Sequence, residues 1–129
     1  MKFITLTGQF RRVSNIKKHL IDWDKPSRSK FQFFVKQHIK QYWFNHIVFE
    51  EFPIVGTKLS LDFYNANKKI AIEVQGQQHI KYTPFFHGNY KNNYLAQLDR
   101  DKKKLKFCEI NDLRLIEIYP NDKLGSFVF

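Results

Sequence analysis

Two carboxylates, Asp62 and Glu73, are the residues whose type and spacing most directly suggest chemistry. Leu59-Ser60-Leu61-Asp62-Phe63 and Ile70-Ala71-Ile72-Glu73-Val74-Gln75 both alternate with period two, as strands do. Between them lies the turn-rich run Tyr64-Asn65-Ala66-Asn67-Lys68-Lys69. A two-residue loop at Asn67-Lys68 sets Asp62 opposite Glu73 on one sheet face, with Leu59, Leu61, Phe63, Ile70, Ile72 and Val74 on the other. Like charges directly opposite each other on neighbouring strands repel. A divalent cation held between them removes the repulsion. Hard oxygen ligands suit Mg²⁺ or Mn²⁺, which keep other positions for water and phosphate oxygens. Such an ion polarises a scissile phosphate and lowers the pKa of an attacking water. The competing reading places both acids on a solvated sheet face.

The elements that must position this pair follow from pattern. Ser29-Lys30-Phe31-Gln32 has the form of a capping box and predicts a helix running to about Phe44. Phe31, Phe34, Val35, His38, Ile39, Tyr42 and Trp43 form its expected apolar stripe. Residues 47–52 read as a strand ended by Pro53, and 113–119 as a final strand closed by Pro120. A helix is predicted from about Tyr90 to Cys108, with Tyr94, Leu95, Leu98, Leu105, Phe107 and Cys108 on its buried side. The order helix, strand, hairpin, helix, strand predicts an α/β fold, a mixed β-sheet flanked by helices. Upstream, Lys2 to Leu6 reads as a short strand, and Ser14 as the cap of a short helix reaching Trp23. Residues 1–25 are expected to form an N-terminal appendage and residues 26–129 the main domain.

Composition narrows the partners. The 129 residues carry 22 Lys plus Arg against 12 Asp plus Glu, a net charge of +10. With 17% aromatic residues, that excess points to a polyanion, and nucleic acid first. No apolar run is long enough to span a bilayer, and the N-terminus lacks a signal-peptide pattern. The lone cysteine, Cys108, excludes an internal disulfide and suits a reducing cytoplasm.

Several motifs carry a family resemblance. Asp62, followed after ten residues by Glu73-Val74-Gln75, resembles the PD-(D/E)XK nuclease signature, with Gln at the lysine position. Ile72-Glu73-Val74-Gln75-Gly76-Gln77-Gln78-His79 resembles the "IE-x-x-G-x-QH" run of phage and very-short-patch-repair-like endonucleases. Phe86-His87-Gly88 resembles their Phe-Gly-Gly segment, and Asp101 to Cys108 their "D-x-x-K-x-x-Y-C" helix. Asn111 with Leu115-Ile116-Glu117-Ile118 resembles their closing strand. The resemblance covers about residues 29–120. It implies a restriction-endonuclease-like core and metal-dependent hydrolysis of DNA phosphodiesters. A homing or very-short-patch-repair-like enzyme, phage-associated and acting in the host cytoplasm, is the expected setting. A Holliday-junction resolvase and a non-catalytic nucleic-acid-binding module are the alternatives.

The resemblance also implies roles. Asp62 and Glu73 would be metal ligands, with the Val74 carbonyl as a further one. Gln75, in the lysine's place, can only orient water or phosphate by hydrogen bonding. His79 then reads as base or water-positioning group, since histidine titrates near neutrality. Lys81 or Lys104 would supply the missing positive charge. Gln32 stands where relatives carry a Glu on the first core helix. Gln78 and Asp101 complete the expected rim. From charge alone, Arg11, Arg12, Lys17, Lys18, Lys102, Lys103 and Arg114 are expected DNA-backbone contacts, with Arg114 beside the site. The lysines of the second helix read equally as a solvated face. One such site cuts one strand at a time, so cutting both strands implies a homodimer or sequential nicks.

Overall fold

The computed structural model describes residues 1–76 and 89–129, with side chains from residue 93 onward in the second segment. Strands β1 (Lys2–Ile4) and β2 (Phe10–Arg12) form a small antiparallel hairpin. Helix α1 (Lys30–Trp43) leads into β3 (Val48–Pro53), β4 (Ser60–Asn65) and β5 (Ile70–Val74). Helix α2 (Asn89–Ile110) then returns the chain to β6 (Arg114–Ile118). These last four strands make one sheet in the order β3-β4-β5-β6, antiparallel except for the parallel β5–β6 pair. The expected mixed sheet with flanking helices is therefore present. The parallel pair needs a crossover, and α2 lies within that connection.

Alternation along β4 and β5 splits the core into two layers. Phe63, Ile70 and Ile72 join Val35, Ile39 and Trp43 of α1 in one cluster. Tyr64 and Ala71 join Phe107 and Cys108 of α2, together with Phe3 and Val13, in the other. Residues 1–25 thus pack into the same core as the rest of the chain. Phe3 meets Phe52 edge-on at a ring-centroid distance of 5.5 Å. The Asn111 side chain accepts from the Ile4 N–H and donates to the Ile4 carbonyl, at 2.7 and 2.9 Å.

Five local expectations change. The hairpin turn spans residues 66–69 rather than two residues. The Asn65 side chain closes it by accepting from the Lys68 N–H at 3.0 Å, and Lys69 takes φ 55°. Pairing nevertheless keeps the expected register: Phe63 with Ile72, Tyr64 with Ala71 and Asn65 with Ile70. Leu59 and Leu61 do not share a face with Phe63, because both pack in the cluster that holds Phe52 and Tyr64. The alternation breaks at Glu51, whose left-handed backbone (φ 53°) sits between the pairs Glu50–Phe63 and Phe52–Leu61.

On α1, Ser29 caps as expected, its hydroxyl accepting from the Gln32 N–H at 3.1 Å. The buried face, however, is Gln32, Val35, Lys36, Ile39 and Trp43, while Phe34 and Tyr42 are exposed. Leu95, Leu98 and Leu105 of α2 also face outward. Instead of a helix from Ser14, residues Ile16–His19 make a single 3₁₀ turn. Pairing of Leu20 with Phe49, and of the Ile21 N–H with the Val48 carbonyl, holds the next residues extended along β3.

Candidate active site

The β4–β5 ladder stops at Phe63–Ile72, and the next step of the same register sets Asp62 against Glu73. There the side chains replace the ladder. The Asp62 N–H donates to Glu73 Oε2, and the Val74 N–H donates to Asp62 Oδ2, both at 2.8 Å. Each carboxylate therefore satisfies a backbone N–H of the opposite strand, which fixes both at the mouth of the hairpin. Both residues are buried, Glu73 at 3% exposure and Asp62 at 9%. The solvated-face reading fails on that burial. Lys104, reaching over from α2, donates to Glu73 Oε1 and forms an ion pair with it.

Electrostatics follow from this geometry. Burial, and then the Glu73 charge, push the Asp62 carboxyl up to about 8. Burial also raises Glu73, against the opposing pull of Lys104. Asp62 is thereby biased toward its protonated form, while Lys104 pairs with Glu73 and opposes the rise there. The neighbouring Cys108 thiol is pushed up to about 12, by burial first and by Glu73 second, and is inert as a nucleophile. A divalent cation suits this pair chemically. Its donors are hard carboxylate oxygens, and it would supply the charge that the Asp62 proton now supplies. Asp62, Glu73 and the Val74 carbonyl are the groups that could hold it. Among the described residues, no set of three or more His, Cys, Asp or Glu side chains is gathered for a metal.

The other expected residues divide. Gln75 is buried just past β5, its N–H bonded to the Ile118 carbonyl at 2.8 Å. Among the described residues, Lys104 is the cation brought to the pair. Asp101 is half-buried one turn earlier on α2, accepting from Gln97 at 2.9 Å. Gln32 is buried and donates to Glu50 Oε2 and Glu51 Oε1 at 3.0 and 3.1 Å. Gln78, His79 and Lys81, with the Phe86-His87-Gly88 segment, lie outside the described residues.

Two acids escaped the sequence reading. Glu51 falls between paired residues of β3, opposite Asp62, and its charge contributes to raising the Asp62 carboxyl. Glu117 pairs with Glu73 across β5–β6. The two flank the Asp62–Glu73 pair, making a row of acids across all four strands. A signal existed in Glu50-Glu51, two acids inside a predicted strand, but its meaning needed the β3–β4 register. Sequence also gave no hint of Lys36, which is fully buried and held by Glu50 Oε1 and the Lys25 carbonyl, both at 2.8 Å.

The chain is similar to three uncharacterized proteins of viruses. The uncharacterized protein 033L of Invertebrate iridescent virus 3 is 35% identical over 80 residues, 60% of this chain and 41% of its own length. The uncharacterized protein 094L of Frog virus 3 is 38% identical over 66 residues, 51% of this chain and 43% of its own length. The uncharacterized protein 307L of Invertebrate iridescent virus 6 is 38% identical over 60 residues, 46% of this chain and 30% of its own length. The chain spans less than half the length of these curated relatives. No protein-family profile matches it. No solved structure matches it.

The expected DNA contacts lie on the surface. Arg11, Arg12, Lys17, Lys18, Lys102 and Lys103 are all exposed. Arg114 is not beside the site. The β5–β6 register pairs it with Ile70, at the strand end away from Glu73, and its guanidinium donates to the Val128 carbonyl at 2.8 Å. No helix among the described residues is long and apolar enough to cross a membrane.

Proposed function

We propose that the chain is a divalent-cation-dependent endodeoxyribonuclease with a restriction-endonuclease-like core, of the homing or very-short-patch-repair-like kind. The observation that carries this reading is the meeting of two buried carboxylates where the β4–β5 ladder ends, each anchored by the other strand's N–H. Two acids buried beside each other are costly, and a cation that also binds a phosphate oxygen offsets that cost. A Mg²⁺ or Mn²⁺ ion there would polarise the phosphodiester and favour the ionised form of a bound water. Asp62 and Glu73 orient that site. Lys104, already at Glu73, is placed to face the negative charge that builds on the phosphate. Gln75 and His79 are the proposed water-positioning groups.

The element order, the parallel β5–β6 pair and the motif run from residue 72 support the restriction-endonuclease-like assignment. The net charge of +10 supports DNA as the substrate. The viral relatives support a virus-encoded protein, of which the phage association is a narrower form. Its proposed working place is the reducing host cytoplasm, as a homodimer where both strands are cut.

A second reading rests on the Lys104–Glu73 ion pair. It neutralises Glu73 without a cation and suits a nucleic-acid-binding module that has lost cleavage. A panel of linear, supercoiled and four-way-junction DNA, with and without Mg²⁺, separates the two. The nuclease reading expects Mg²⁺-dependent cuts that Asp62→Ala and Glu73→Ala each abolish while DNA binding persists. Binding without any cut, in Mg²⁺ or Mn²⁺, selects the binding module. A marked preference for four-way junctions selects a resolvase.

A further inference from the structure

The turn of the N-terminal hairpin, the turn between β3 and β4, and one face of α2 line an open cavity of about 490 Å³. That volume lies in the range of small-ligand pockets and admits a nucleotide unit. Four cations line it: Arg11 from β2, Lys58 from the β3–β4 turn, and Arg100 and Lys103 from α2. Among the described residues, no Asp or Glu side chain lines it. Leu6 and Leu59 supply apolar wall between the charges. The Lys103–Asp99 contact at 2.8 Å joins two half-exposed side chains one helical turn apart, a weak pair that a phosphate can displace.

The position matters as much as the charge. Arg100 and Lys103, three apart on α2, share the face turned to the cavity. Lys104, the next residue, turns to Glu73. The cavity and the carboxylate pair therefore lie at the same level of α2, about 100° apart around its axis. Regularly spaced negative charges with flat apolar bodies between them match cations set around apolar wall. That description fits a nucleic-acid strand better than an acidic peptide.

We propose that this groove holds the sugar–phosphate backbone of one nucleic-acid strand beside the segment presented to Asp62 and Glu73. Arg11, Lys58, Arg100 and Lys103 are its phosphate contacts. The proposal gives the N-terminal hairpin a role as strand guide, and it rests on the nuclease reading only for the identity of the strand. Binding in the groove needs no divalent cation.

The test is fluorescence anisotropy of a labelled oligothymidylate with the full chain, in EDTA, across a KCl series. Arg11→Ala and Lys58→Ala should each weaken binding about three- to tenfold and reduce the log–log salt slope by about 0.7, the value per single-strand phosphate contact. The double variant should lose both increments. Lys106→Ala, an exposed α2 residue outside the cavity, should match wild type in both affinity and slope. Arg11, Lys58 and Lys106 are all exposed, so circular dichroism melts should coincide. Should Arg11→Ala melt early, Arg11→Gln replaces it. A double variant with the wild-type slope overturns the groove, as does polyglutamate competing as well as the oligonucleotide at equal charge. Wild-type protein that cuts DNA while the double variant keeps its slope sinks the groove and leaves the nuclease. Loss of slope in a protein that never cuts does the reverse.

Discussion

Asp62 is a buried acid whose ordinary carboxyl value, 3.8, is pushed up to about 8 by burial and by Glu73. The sign of its effect on stability follows. Between those values the folded chain holds a proton that the unfolded chain has lost, so rising pH costs stability. Cation-free protein should melt at falling temperature as pH rises from about 4 to 8, on the order of 5 °C or more from this residue. Asp62→Asn should flatten that slope in a differential-scanning series. Lys104→Met should cut cleavage about 10²-fold, as expected for removing a charge aimed at the transition state, while DNA binding by anisotropy changes little. The Asp62–Glu73 pair was legible in the sequence because a two-residue period and a register are enough to bring two strand positions together. Glu51 was not, since its effect depends on a left-handed residue in β3 that breaks the alternation. Arg114 was misplaced because parallel register cannot be read from β6 alone.

At the scale of elements, α1 shows where periodicity misleads. The expected stripe took in Phe34 and Tyr42 along with Val35, Ile39 and Trp43, because apolar residues lie on more than one side of the helix. What decides is the buried polar set on the same side as the true face. Gln32 and Lys36 reach Glu50, and Glu51 takes a second bond from Gln32. Breaking a buried ion pair strands its partner, so Lys36→Ala should destabilise by about 3 kcal/mol in urea denaturation. Ser29→Ala, removing only the cap, should cost about 1 kcal/mol in the same assay. The capping box itself was plain in the sequence because it is entirely local. The hairpin turn was not, since Asn65 and Asn67 act through side-chain bonds to the Lys68 and Ile47 N–H groups.

For the whole molecule, the sequence supports one α/β body and a polyanion partner, and the fold agrees with the first. The place of residues 1–25 was not legible, because Phe3 and Val13 are single apolar residues whose burial depends on Phe52 and Phe107, some fifty and a hundred residues away. Deleting residues 1–13 should therefore lower the melting temperature sharply, by about 10 °C or more, rather than trim a dispensable tail. A truncated chain that melts with the full-length protein would contradict the shared core. Function at this scale depends on the cation site being real. Calorimetric titration of Mn²⁺ into the full chain near neutral pH, in buffers of different ionisation heat, examines it most directly. About one ion should bind per chain with release of a proton from Asp62, and Asp62→Asn and Glu73→Gln should each lose that binding. Undetectable binding in wild type, or binding unchanged in both variants, would contradict the cation site.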